Sequence, residues 1–136
     1  MQRRSDSVVG RQRKFPLTTD RKKRPAVYIG QTFSIDVSTS SSRRRLYITI
    51  NGDPPVEVFI RASLGGSLLQ SFAESLGRMI SISLRYNVPL EEIISQLTGI
   101  KDESFWDDGV QYLSLPDAVG QTLKKAKEHQ CLNHLS

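Results

Sequence analysis

The chain has 136 residues, enough for one domain and too few for two of ordinary size, and 38% of them are hydrophobic, which supports a modest packed core. Its net charge of +5 is unevenly spread: the first 24 residues carry nine basic side chains against two acidic ones, a net of +7, so the remainder is −2. No apolar run reaches the length of a membrane span, the basic N-terminus lacks the apolar stretch of a signal peptide, and a single cysteine, Cys131, rules out an intrachain disulfide. The expectation is a soluble, cytoplasmic protein.

Residues 1–25 form a basic tail with few apolar anchors, Val8, Val9, Phe15 and Leu17 among them. Such a segment does not repay its ordering entropy and is expected to be disordered when free. Arg11, Arg13, Lys14, Arg21, Lys22, Lys23 and Arg24 are its anion-binding candidates. Tails of this kind hold polyanions by counterion release, with little sequence preference. RKKRP also reads as an address signal, and a solubilising extension needs only the same charge.

From residue 26 the pattern has period two. AVYI and TFSIDV read as strands, the second with Phe33, Ile35 and Val37 on one face. The serine-rich loop STSSSRRR follows. Next come a strand with Leu46, Ile48 and Ile50 opposite Tyr47, Thr49 and Asn51, and one with Val56, Val58 and Ile60 opposite Glu57, Phe59 and Arg61. The turn Asn51-Gly52-Asp53-Pro54-Pro55 joins them as a wide hairpin.

After Gly65-Gly66, Ser67 can cap a helix whose stripe is Leu69, Phe72, Leu76, Ile80 and Leu84, widened by Ala73, Met79 and Ser83, and which is expected to lie across the sheet. Gly77 in its middle costs about 1 kcal/mol relative to alanine and implies close packing there. Pro89 begins a second helix with Glu91 and Glu92 in its first turn and Leu90, Ile93, Ile94 and Leu97 as its apolar face; Gly99 ends it. The acidic stretch with Asp102, Glu103, Asp107 and Asp108 reads as a solvated loop, and its Phe105 and Trp106 as packing over the domain. Ser114 and Asp117 resemble a capping box for a third helix to about His129, with Lys124, Lys125 and Lys127 toward its negative end. The fold class is α+β: a small antiparallel sheet of about four strands packed against two or three C-terminal helices, over residues 26–129, with 130–136 as a C-terminal tail.

Residues 46–100, with LYITIN, EVFI and LGRMISISLRYNVPLEEII, and the later LSLPDAV at 113–119 resemble the TSCPD domain, the cysteine-bearing C-terminal module of vitamin B12-dependent (class II) ribonucleotide reductases. The resemblance implies a strand hairpin, a glycine turn and a helix. It also implies cysteines that this chain lacks. Ser67 or Leu68, Asp102 and Leu115 stand at three of those positions, and a fourth falls within 38–43. None can bind metal through sulfur or exchange a disulfide. The expectation is that no metal or cofactor is held and that Leu68 and Leu115 pack where sulfur chemistry was, each burying area worth about 1.5–3 kcal/mol. His129, His134 and Cys131 near the chain end supply too few ligands for zinc.

No GxxxxGK[ST], GxGxxG or GxSxG is present, and no catalytic constellation is expected. The ligand-binding candidates are Arg43, Arg44, Arg45, Arg61, Arg78 and Arg85, with surface pairing and helix-end stabilisation as the plainer account of the last two. The function expected is a non-catalytic binding module for a nucleic acid or nucleotide-like anion. The alternative is a protein-interaction or inhibitor module such as a phage would encode, including one that sequesters a nucleotide signal in host defence. Tyr47 and Phe59 alternate away from the aliphatic core and predict a homo-oligomer through the outer sheet face.

Overall fold

The structure, a computed structural model, describes residues 17, 20–38, 40, 43–63 and 67–135, without the side chains of 67 and 131–135. Arg3, Arg4, Arg11, Arg13 and Lys14 therefore lie outside the described residues. Three strands, β1 (Gly30–Asp36), β2 (Arg45–Asn51) and β3 (Glu57–Ser63), form an antiparallel sheet in the order β1-β2-β3. Helices α1 (Ser67–Arg85) and α2 (Leu90–Leu97) follow, then a two-stranded hairpin, β4 (Phe105–Asp107) and β5 (Val110–Tyr112), and the long helix α3 (Leu115–Leu135). The fold is α+β, with helices on one side of the sheet.

The alternation read from the sequence sets the inner face. Ile35, Val37, Leu46, Ile48, Ile50, Val58, Ile60 and Ala62 are buried, and against them lie Ala73, Ile80 and Leu84 of α1 and Ala118, Val119, Leu123 and Ala126 of α3. Registers such as Phe33↔Ile48↔Ile60 bring the aliphatic positions into rows, as a sheet with one buried face requires.

α1 runs along the free edge of β3. The Ser81 hydroxyl accepts from the Val58 N–H at 2.9 Å and donates to the Val58 carbonyl at 3.0 Å, and Gln70 Oε1 accepts from the Ala62 N–H at 3.0 Å. Gly77 sits between these contacts; a Cβ there would come within 3.1 Å of the Val58 carbonyl oxygen. The glycine is kept because the helix approaches strand backbone, and helix side chains replace the neighbouring strand that an open edge lacks.

Several expectations change. AVYI is not a strand: β1 begins at Gly30, so the main sheet has three strands. The acidic stretch contains the β4–β5 hairpin, turned by Asp108 and Gly109 at φ 49° and 76°, the positive values of a tight two-residue turn. Its aromatics part company: Phe105 is buried and stacked on Tyr112 with ring centroids 5.5 Å apart, whereas Trp106 is 65% exposed because its neighbour in the strand takes the inner side. α3 continues beyond His129 to Leu135, and the His129 ring lies 6.2 Å from that of Phe33, holding the last turns over β1. On α1, Phe72 and Met79 are exposed; the width of the buried stripe was overestimated because the helix rests on one strand edge.

Candidate functional site: the outer face of the sheet

The face opposite the core takes every second residue of three strands. Thr32 and Ser34 come from β1, Arg45, Tyr47 and Thr49 from β2, and Phe59 and Arg61 from β3. The register makes Thr32, Thr49 and Phe59 one row and Ser34, Tyr47 and Arg61 the next. Tyr47 and Phe59 are thus diagonal neighbours, about 7–8 Å apart in such a ladder. Both are exposed, Phe59 at 52%, and so are Arg45 and Arg61. Among the described residues, no helix covers this face.

The polar groups between them are ordered. Thr32 and Thr49 share a hydroxyl hydrogen bond of 2.8 Å, and Arg45 Nη1 donates to the Ser34 hydroxyl at 2.8 Å. Arg45 is thereby held extended along the face, where its guanidinium still has free donors.

At one end the face opens into a cleft of about 360 Å³ lined by Asp36, Ser38, Arg43, Arg44, Arg45, Tyr47 and Ser63. Arg44 Nε is buried there without a hydrogen-bond partner among the described residues. Asp36 accepts from the Ser38 N–H at 2.9 Å; hydrogen bonding from Ser38 lowers its pKa most, burial opposes this, and the charges of Arg45 and Arg43 add to the lowering, so that the net shift is downward. The carboxyl is anionic and offsets one of the three guanidiniums.

At the other end Glu57, expected on the exposed side, is buried. Arg24 Nη2 reaches its Oε1 at 2.7 Å, and Asn51 Nδ2 donates to Oε2 at 3.2 Å. Lys22 is tied to α1 by its own N–H to the Arg85 carbonyl at 3.1 Å, while Arg85 Nε and Nη2 donate to the Lys22 carbonyl at 3.2 and 3.1 Å. Lys22 and Arg24, assigned from the sequence to a free tail, are instead anchored, and the basic segment reaches the rim of the outer face. Arg21 and Lys23 beside them remain exposed.

The structure therefore divides the candidate arginines. Arg45 and Arg61 share the face with Tyr47 and Phe59, and Arg43 and Arg44 share the cleft with Arg45. Arg78 is paired with Glu74 at 2.7 Å one helical turn away, the surface pairing weighed for it, whereas Arg85 holds the Lys22 carbonyl, a contact between distant segments. Both also line a second cleft, of about 320 Å³, with Arg24, Glu57 and Phe59.

A family model for the TSCPD domain matches residues 14–127. The chain belongs to the TSCPD domain family. No curated protein and no solved structure matches it. Two of the positions where the resemblance implies a cysteine are close in the fold of this TSCPD domain: the Asp102 N–H donates to the Leu113 carbonyl at 2.9 Å, two residues before Leu115. Leu115 packs partly against the core, as expected for it, but Leu68, also expected to pack, is 69% exposed. Among the described residues no three His, Cys, Asp or Glu side chains are grouped as metal ligands, and no helix is long and apolar enough to cross a membrane.

Proposed function

We propose that this TSCPD domain is a non-catalytic module that binds single-stranded nucleic acid or a nucleotide-like anion on its outer sheet face. The observation that supports this most is the placement of exposed Arg61 beside both Tyr47 and Phe59, with Arg45 on the other side of Tyr47, so that aromatic and cationic side chains alternate along the face. Aromatic rings on an open sheet stack bases, at about 1–3 kcal/mol per base, and flanking guanidiniums neutralise the phosphates between them. The cleft of Arg43, Arg44 and Arg45 continues the phosphate track beyond Tyr47, and Arg44 Nε is a buried donor that an anionic oxygen would satisfy. The basic segment enters at the opposite rim through Arg24 and adds non-specific attraction.

The same face was the one expected to join copies of the chain. Two copies packed face to face would set Arg45 and Arg61 against their own counterparts, a like-charge cost that an anionic ligand removes. The ligand reading is therefore preferred over self-association. It is tested by fluorescence anisotropy with a labelled single-stranded oligonucleotide and, separately, with a nucleoside triphosphate. Tyr47→Ala and Phe59→Ala are expected to weaken oligonucleotide binding by about 1–3 kcal/mol each. Arg61→Ala is expected to flatten the dependence of log affinity on log salt by about 0.7. Affinity unchanged in both aromatic variants sinks the proposal.

A further inference from the structure

The side of α1 turned away from β3 carries a second feature, independent of the sheet face. Leu68, Phe72, Ser75 and Met79 follow one another at spacings of four, three and four residues, and half-buried Ile82 and Tyr86 continue the series at the end where the helix borders the cleft with β3. Leu68, Phe72 and Met79 are 69%, 62% and 63% exposed. Ser71 and Ser75 turn their hydroxyls back onto the Leu68 and Phe72 carbonyls at 2.8 and 2.9 Å, leaving this side without polar groups that need water. The inner side of the same helix, with Ala73, Ile80 and Leu84 buried, is already satisfied by the sheet. Helix α1 thus has two apolar sides, of which the domain uses one.

The spacing specifies the shape of what covers the outer side. A repeat averaging 3.5 residues keeps a seam facing one partner helix over several turns, which neither a strand nor a flat surface would follow. Charge specifies the occupant further. Arg78 and Arg85 flank the seam on the side toward β3, where Lys22 is also held, and the carboxylates that line the cleft with them are already paired, Glu74 with Arg78 and Glu57 with Arg24. The chain's own N-terminal residues 1–19 carry five basic side chains and one acidic one, the wrong sign for this rim. A second copy fares no better: its Glu74 arrives already paired with its own Arg78, and its Arg85 adds a further cation to a rim that is already cationic. We infer that the outer side of α1 docks an acidic amphipathic helix of a partner protein, its apolar seam on Phe72 and Met79 and its carboxylates against Arg78 and Arg85.

The test uses the full chain and two synthetic helical peptides with leucine at their seam positions, one carrying glutamate and the other lysine at the positions flanking the seam. Binding is read by anisotropy and the state of the free protein by sedimentation velocity. The acidic peptide is expected to bind and the basic one not to. Phe72→Glu and Met79→Glu, at side chains more than half exposed and so neutral to folding, are each expected to weaken binding by about tenfold or more. An Arg78→Glu, Arg85→Glu variant is expected to reverse the choice between peptides. Equal binding of both peptides, or acidic-peptide binding that survives Phe72→Glu, overturns the inference. So does a wild-type dimer that Phe72→Glu converts to monomer, which would assign the seam to a second copy. Oligonucleotide binding by Phe72→Glu and by Met79→Glu, neither of which lies on the sheet face or in the basic segment, is expected to be unchanged, which separates this surface from the sheet face.

Discussion

Asp117 shows how much one carboxylate can organise. It lies buried in the first turn of α3, where Oδ1 accepts the Gly99 N–H at 2.8 Å and Oδ2 accepts the Leu113 N–H at 2.9 Å and Gln121 Nε2 at 2.6 Å. The end of α2 and the end of the hairpin are thereby pinned to the start of α3. Burial raises its pKa, but the hydrogen bonds from Leu113, Gly99 and Gln121 outweigh this, and the net shift is downward. A lowered folded pKa means stability that is complete above the unfolded value of about 3.9 and is lost as pH falls through the folded pKa. Asp117→Asn is therefore expected to cost about 1–3 kcal/mol at pH 7, with the gap from wild type closing below about pH 4, as read by urea unfolding at both pH values. The motif around Ser114 and Asp117 pointed to a helix start, and the Ser114 hydroxyl does accept the Asp117 N–H at 3.1 Å. The other half of a capping box is missing, because the aspartate is committed to partners 4 and 18 residues earlier in the chain. Partners that distant leave no local pattern.

At the scale of elements, periodicity located the three main strands and the first two helices, since a buried face must repeat at 2 or 3.6 residues, and the third helix was legible from its Ser114–Asp117 start. What it did not locate were elements defined by their ends. The β4–β5 hairpin is three residues a side, too short for a period, and its signal was the pair Asp108-Gly109 between Trp106 and Val110. Residues 26–29 alternate like a strand but lie outside the sheet, and no pattern in four residues distinguishes those cases. Nor could the sequence show that Ser81 and Gln70, both polar within an apolar helix, serve the edge of β3. Ser81→Ala removes the partner of both the N–H and the carbonyl of Val58. It is expected to lower stability by about 1–3 kcal/mol, measured by thermal and denaturant unfolding, and to raise amide exchange at Val58. Ser83→Ala, which frees only a hydroxyl bonded to its own helix at Met79, is the control expected to change little.

For the whole molecule, the N-terminal segment joins charge to structure. Composition identified its basicity correctly and could not show that Lys22 and Arg24 end on α1 and β3. The buried Glu57 read as one more outward residue, because the side chain that covers it is 33 positions away. Arg24→Ala leaves a buried carboxylate with one hydrogen-bonding partner, Asn51, and is expected to cost about 1–2 kcal/mol, less than a fully buried pair because the arginine is half exposed. Deletion of residues 1–19, which spares both anchors, is expected to leave the unfolding midpoint unchanged while reducing oligonucleotide affinity and its salt dependence. Paired measurements of melting and binding on the two variants separate the segment's two roles.

The covering of β3 by α1 also leaves the sheet with unequal borders. Growth by addition of strands is closed on one side and possible only across β1, where among the described residues Asp36 alone gives its backbone N–H to the hairpin, through Asp107. A second molecule pairing there, β1 to β1, would build a sheet of six strands whose two outermost members are both β3, each already sheathed. Such an adduct has nowhere left to extend. Partial unfolding that bares β1 leads to a terminated pair, whereas loss of α1 from its strand turns the same sheet into a seed for open-ended fibres.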